Sequence, residues 1–148
     1  VSAKGQAIRF KESDVREMGR SAGGVRVMKL TKGDNIVGAQ TVHKAEGDKP
    51  LLLVVSERGY GKKTDLEEYK IQKRGGSGIK TGKVTPKTGN IMASAVVTPA
   101  EEEIVAISKK GQVIRTSIEE IPELGRQTQG VRVMKLRDGD GLASVICL

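Results

Sequence analysis

The segment Gly24-Val25-Arg26-Val27-Met28-Lys29-Leu30 returns without a single change as Gly130-Val131-Arg132-Val133-Met134-Lys135-Leu136, 106 positions later. At the same offset, Lys4-Gly5-Gln6-Ala7-Ile8-Arg9 returns as Lys110-Gly111-Gln112-Val113-Ile114-Arg115. An offset of 106 is two periods of about 53, within the range of propeller blades and solenoid coils. A diverged middle copy lies between them, with Gly59 in the place of Gly5, Arg74 of Arg20, Gly78 of Gly24 and Ile79 of Val25. Three copies therefore fill the chain, over residues 1–49, 50–100 and 101–148. Such a chain does not gather one large core. Only 36% of its residues are hydrophobic, and its aromatic residues are Phe10, Tyr60 and Tyr69. Burial has to come from Val, Ile, Leu and Ala distributed over several small layers.

Within each copy the pattern predicts four short strands. Residues 51–55 form an unbroken apolar run, of the kind buried on both faces in a layered structure, and residues 104–107 are its counterpart. A glycine turn follows at Arg58-Gly59 or Lys110-Gly111, and a second strand starts there. A loop with a helical turn leads to a third strand, clearest at residues 25–30, where charged and apolar side chains interleave. Turns at Lys32-Gly33-Asp34-Asn35 and Arg137-Asp138-Gly139-Asp140 precede a fourth, at residues 91–97 and 142–148. Four strands per repeat predict an all-β, propeller-like array of about three four-stranded blades. In the first copy Val1-Ser2 matches only the end of the apolar strand at Val55-Ser56, so that copy lacks its first strand. That gap, and a start at Val1 rather than Met, give the expectation of a piece of a longer protein.

The net charge of +8 concerns partners rather than fold. Residues 1–49 hold ten basic and six acidic side chains, residues 50–100 nine and four, and residues 101–148 seven and eight. The positive field is expected over the first two copies. A single cysteine, Cys147, makes no internal disulfide, and no apolar stretch resembles a signal peptide or a membrane span. The expectation is a cytoplasmic protein without a membrane partner.

The middle copy carries Gln72-Lys73-Arg74-Gly75-Gly76-Ser77-Gly78, a glycine-rich loop with two adjacent cations. Its glycines let backbone N–H groups approach an anion, and Arg74 suits bidentate phosphate contact. The same position in the other copies presents Arg20 and Arg126. A lone loop of this kind reads first as a crossover that needs glycine for geometry, with its cations solvated. Recurrence in three copies favours a series of cationic loops that follow phosphates around a bend. Lys62, Lys63, Lys80 and Lys83 read in two ways, as phosphate contacts or as edge-strand lysines that prevent sheet-to-sheet association. His43 lacks neighbours at metal-ligand spacing, and Asp138 and Asp140 belong to a turn rather than a calcium loop. Residues 76–83 lack the first glycine of a phosphate-binding loop, and Val84 stands where Ser or Thr follows its lysine. Neither a catalytic residue, a metal site nor a cofactor is expected. The acidic run Glu101-Glu102-Glu103 reads as a solvated loop between blades.

The Gly-Gln-X-Ile-Arg hairpin, the Gly-Arg-X-X-X-Gly-Val-Arg loop and the segment at residues 72–78 together resemble the C-terminal domain of the gyrase A family of DNA topoisomerases, over the whole chain. The resemblance implies a β-pinwheel, usually of six blades whose Greek-key-like sheets exchange a strand, with a basic rim that wraps DNA. This chain corresponds to about half of it. The family's box motif, Gln, a basic residue, Arg-Gly-Gly, a basic residue and Gly, falls on residues 72–78. Ser77 stands in place of the second cation, and the motif sits in a middle copy rather than the first blade. Topoisomerase IV has a similar domain with degenerate boxes and remains an alternative. The resemblance further implies a non-catalytic domain that holds and bends duplex DNA without reading sequence. It would support ATP-dependent negative supercoiling by the whole type IIA topoisomerase in the bacterial cytoplasm, at the nucleoid. Its partners would be duplex DNA, the rest of the DNA gyrase A polypeptide, and through that the gyrase B polypeptide. Both Tyr60 and Tyr69 are expected to pack, because the DNA-cleaving tyrosine of such enzymes belongs to another domain. A propeller that docks an acidic protein is the reading from a different class.

Overall fold

The strand at Leu51–Ser56 (β2) offers water no polar face, and residues 52–56 are all buried. In the computed structural model, which describes residues 1–43 and 49–148, this strand is the middle of a layered stack. Successive side chains of a strand point to opposite faces. Leu52 and Val54 accordingly join Ala7, Leu66, Tyr69 and Ile91 in a cluster shared with the first copy. Leu53 and Val55 join Val97, Ile104, Ala106, Ile118, Ile121, Met134 and Leu142 in a cluster shared with the third. The core thus lies between copies rather than inside any one of them.

The other strands are β1 (Gln6–Ala7), β3 (Tyr60–Asp65), β4 (Ile79–Lys80), β5 (Ile91–Val97), β6 (Glu103–Ser108), β7 (Val113–Ser117), β8 (Val131–Arg132) and β9 (Leu142–Cys147). Short 3₁₀ turns at Glu12–Asp14 and Leu66–Glu68 are the helical turns predicted from the sequence. All pairings between strands are antiparallel, and the sheets run β5-β2-β3-β8, β7-β6-β9 and β1-β4. The all-β, propeller-like expectation holds.

The hairpin turn has the same chemistry three times. Ser2, Ser56 and Ser108 accept with their carbonyls from the amides of Gly5, Gly59 and Gly111, at 3.1, 3.0 and 3.0 Å. Their hydroxyls accept from the amides of Gln6, Tyr60 and Gln112. The three glycines have φ of +86°, +79° and +80°, where a Cβ would be strained.

The expectation of four strands paired within each copy changes, and the exchange of a strand between sheets that the resemblance implies is found. The third strand of each copy does not complete its own sheet. β4, from the second copy, pairs with β1 of the first, and β8, from the third copy, pairs with β3 of the second. These strands are only two residues long, and residues 25–30 of the first copy form no strand among the described residues. Periodicity reports which side chains face a core, whereas the partner of a backbone edge is set by how copies stack.

Candidate nucleic-acid interface

Strand exchange places each crossover loop on the copy before it. In the loop at residues 72–78, the Gln72 amide donates to the Arg9 carbonyl at 2.7 Å and the Gly75 amide to that of Val27 at 2.7 Å, while the Gly76 carbonyl accepts from the Lys29 amide at 2.9 Å. Arg74 donates from Nε to the Asp14 carbonyl (2.8 Å) and from Nη1 to the Arg26 carbonyl (3.1 Å). The third copy repeats this arrangement. The Thr128 carbonyl accepts from the Lys83 amide at 3.0 Å, and Arg126 donates from Nη1 to the Lys80 carbonyl at 3.0 Å, with its Nε 3.8 Å from the Glu68 carboxylate. Arg26 and Lys80 hold the same place in successive copies, so the loop arginine of one copy is a strut on the same backbone carbonyl of the copy before. Both struts are half-buried, whereas Lys73, Gly76, Ser77 and the first-copy Arg20 are exposed.

Gly75 and Gly78 have φ of +85° and +73°. A Cβ on Gly78 would stand 2.4 Å from the Ala7 carbonyl oxygen, so glycine here serves the crossing of two backbones.

The four lysines separate. Lys80 and Lys83 are exposed and flank the buried Thr81 and Gly82. Lys63 is half-buried and donates from Nζ to the Ile118 carbonyl at 2.7 Å. The placement of Lys62 among phosphate contacts is corrected. It is 1% exposed, and its Nζ donates to the carbonyls of Gly125 and Arg126 at 2.6 and 2.7 Å. It fastens the third copy's loop from beneath.

Burial pushes the Lys62 ammonium down from 10.5 to about 8. Between these values the unfolded chain binds the proton and the folded chain releases it, so stability rises with pH across pH 8 to 10.5 and the cost of burying the charge is fully present below pH 8. In urea unfolding of the parent against Lys62→Met, the parent is expected to gain by up to about 3 kcal/mol between pH 7.5 and 10.5. A difference that does not change with pH would remove Lys62 as a buried titrating group.

The alignment of copies also brings out Arg26, Lys29, Arg132 and Lys135, which the sequence expectation did not assign to the site, beside Lys80 and Lys83, which it did. Arg26, Lys80 and Arg132 are equivalent, as are Lys29, Lys83 and Lys135, and all six are exposed. The first two pairs flank the place where the loop of the following copy crosses. The signal was present in the offsets that align Gly24, Gly78 and Gly130. Tyr60 lies beneath this surface, 6% exposed, with its hydroxyl accepting from Arg132 Nη2 at 3.0 Å and Lys87 Nζ 5.5 Å from the ring centroid. Tyr69 is 2% exposed and shares a hydrogen bond with the Thr81 hydroxyl. A recurring set of exposed Arg and Lys, with half-buried arginine struts between copies, is suited to a repeating polyanion.

Asp140 accepts from the amides of Lys110 and Gly141, as Asp34 does from Lys4 and Asn35, so these acids close turns. Glu101 is half-buried and accepts from the Thr98 amide and hydroxyl, and Glu103 is paired with Arg115, so only Glu102 of this acidic run is exposed. Among the described residues no three His, Cys, Asp or Glu side chains come together to hold a metal, and no helix is long and apolar enough to cross a membrane.

The sequence matches the family described as "DNA gyrase C-terminal domain, beta-propeller" over residues 1–43, 50–98 and 102–148. The DNA gyrase A protein of Staphylococcus epidermidis is 42% identical over 144 residues, which make up 97% of this chain and 16% of that protein. The Staphylococcus aureus protein is 40% identical over 138 residues, 93% of this chain and 15% of that protein. Among solved structures, a DNA gyrase A C-terminal domain superposes with a TM-score of 0.89 at 35% identity, covering 99% of this chain and 48% of the other. The C-terminal domain of a DNA topoisomerase IV superposes with a TM-score of 0.90 at 25% identity, covering 100% and 45%. The chain spans under half of these solved domains and about a sixth of the whole gyrase A proteins. With its matched segments following one another at the repeat period and its copies joined by exchanged strands, the chain belongs to the DNA gyrase C-terminal domain family.

Proposed function

We propose that this chain binds duplex DNA by its phosphates, without reading sequence, and bends it along the surface where the exposed cations recur. In this reading it is a non-catalytic part of a gyrase A polypeptide. Joined to the remainder of that polypeptide, and assembled with gyrase B, it supports ATP-dependent negative supercoiling. The observation that carries the reading is the recurrence of an exposed cation pair at the same place in all three copies, Arg26 with Lys29, Lys80 with Lys83 and Arg132 with Lys135. Phosphate neutralisation releases counterions and offsets the elastic cost of bending, on the order of several kcal/mol for a strongly curved site. The topoisomerase IV alternative shares the fold, and the 40–42% identity to gyrase A proteins favours gyrase.

The test is binding to duplexes of graded length, with energy transfer between dyes at the two ends, at two salt concentrations. Affinity is expected to fall steeply with salt, and the ends of the longer duplexes to draw together. Weak binding that leaves every duplex straight would overturn the bending role and favour the docking of an acidic protein.

A further inference from the structure

The two internal junctions between copies share one backbone arrangement, and a single exposed side chain on it differs. Arg9 and Ile71 form a parallel bridge, with the Gln72 amide donating to the Arg9 carbonyl at 2.7 Å. Lys63 and Glu123 form the same bridge, with the Leu124 amide donating to the Lys63 carbonyl at 2.8 Å. Glu123 is exposed and pairs with Lys49 at 2.8 Å, and the first copy also has an exposed glutamate at this place, Glu17. Ile71 is 56% exposed, more than any other large apolar side chain of the first two copies among the described residues, and it belongs to neither core cluster. Because the same backbone carries glutamate in the other copies, neither packing nor pairing calls for an apolar residue at position 71.

The residues around it supply the chemistry of a partner. Lys70 and Lys73 are exposed, one on each side of Ile71 in sequence, and neither makes a hydrogen bond or an ion pair among the described residues. The matching positions hold Arg16 with Gly19 and Pro122 with Gly125, so only the middle copy brackets this place with two cations. The segment is also held firmly, since Arg9 donates from Nη1 to the Leu66 carbonyl at 2.8 Å. A fixed apolar side chain between two free cations suits a ligand whose apolar group lies between rows of anions, as the base edges of duplex DNA do. The two grooves are not equivalent here. An apolar wedge in the minor groove kinks the duplex toward its major groove, away from the protein, which opposes wrapping. The major groove is about 12 Å wide and presents one apolar group, the C5-methyl of thymine.

We infer that Ile71 enters the major groove and packs against a thymine methyl group, with Lys70 and Lys73 on the phosphates that border the groove. The inference rests on the duplex-binding reading above and adds to it one point at which base composition is felt. Phosphate contacts elsewhere fix the position of the duplex without sequence information. The methyl contact then favours those registers that bring an A·T pair to the middle copy, so the wrapped duplex acquires a preferred phase on an otherwise indifferent surface.

The test is the affinity of the 148-residue chain for two duplexes of one sequence, one containing thymine and the other deoxyuridine throughout, a change that removes only the C5-methyl groups. Binding of the thymine duplex is expected to be about fourfold tighter, the worth of one buried methyl group. The ratio is expected to be the same at low and high salt, because an apolar contact releases no counterion. In Ile71→Ala, and in Ile71→Glu, which installs the residue that the other two copies carry, the preference is expected to disappear, whereas Ile71→Leu retains it. Comparing ratios within each variant removes any general effect of the substitution on folding or of deoxyuridine on duplex stiffness. A parent chain that binds both duplexes equally, or a preference that survives in Ile71→Ala, would overturn the inference and leave duplex binding standing. A parent chain that binds neither duplex would overturn both.

Discussion

Gly130→Val is expected to cost about 4 kcal/mol or more, enough to leave much of the chain unfolded, while Gly24→Val costs only about 1–2 kcal/mol. The two glycines open identical heptapeptides and have φ of +82° and +80°, so the backbone strain imposed by a β-branched residue is the same at both. They differ in their surroundings. A Cβ on Gly130 would stand 2.6 Å from the Gly61 carbonyl oxygen and 2.9 Å from its carbon, and these atoms belong to a strand fixed at the centre of a sheet. β8 would have to leave β3 and draw out Met134, which is 1% exposed in the cluster between the second and third copies. Burial of a side chain of that size contributes about 2–3 kcal/mol, in addition to the strain. Urea unfolding of dilute monomer, with the slope checked for constancy, reads the difference directly. Equal losses in the two variants would mean that the exchanged strand adds nothing to stability.

The same glycines mark how far the sequence could be read. Period, copy number and the run at residues 51–55 led to the layered all-β fold, because an uninterrupted apolar strand has no alternative to burial on both faces. The destination of the third strand was not legible in the residue pattern, and only the family resemblance implied an exchanged strand. Residues 24–30 and 130–136 are identical, yet only the second forms a strand, since strand pairing there depends on a neighbouring copy rather than on local sequence. Lys62 was misplaced for a related reason. Alternation along β3 puts it on one face with Tyr60 and Thr64, both buried, and that apolar neighbour was the available signal. Its charge argued for the surface, but two carbonyls from the next copy supply the partners that make burial tolerable. Arg74 and Arg126 were legible as a recurring pair, and their role as struts appears only once the copies are stacked.

This division between struts and exposed cations sets the largest expected effect on binding. Replacing Arg26, Lys29, Lys80 and Lys83 together by Ala removes four exposed charges without touching a buried contact. If each meets one phosphate, the slope of log K against log salt becomes shallower by up to about 3.6, at roughly 0.9 per contact. Because this term vanishes near 1 M salt, loss of the same four contacts weakens binding by up to about 3.6 orders of magnitude at 0.1 M. Arg74→Ala is expected to behave differently. Its guanidinium already donates to the carbonyls of Asp14 and Arg26, so its loss frees the loop at residues 72–78 from the first copy and lowers stability by about 1–2 kcal/mol. The salt slope then changes by less than one contact, while the bend, read by energy transfer between duplex ends, becomes shallower because the two copies no longer keep a fixed angle. A quadruple variant with the parent's salt slope would remove these cations from the interface. An Arg74→Ala variant with unchanged stability and a slope shallower by a full contact would make that arginine a phosphate ligand rather than a strut.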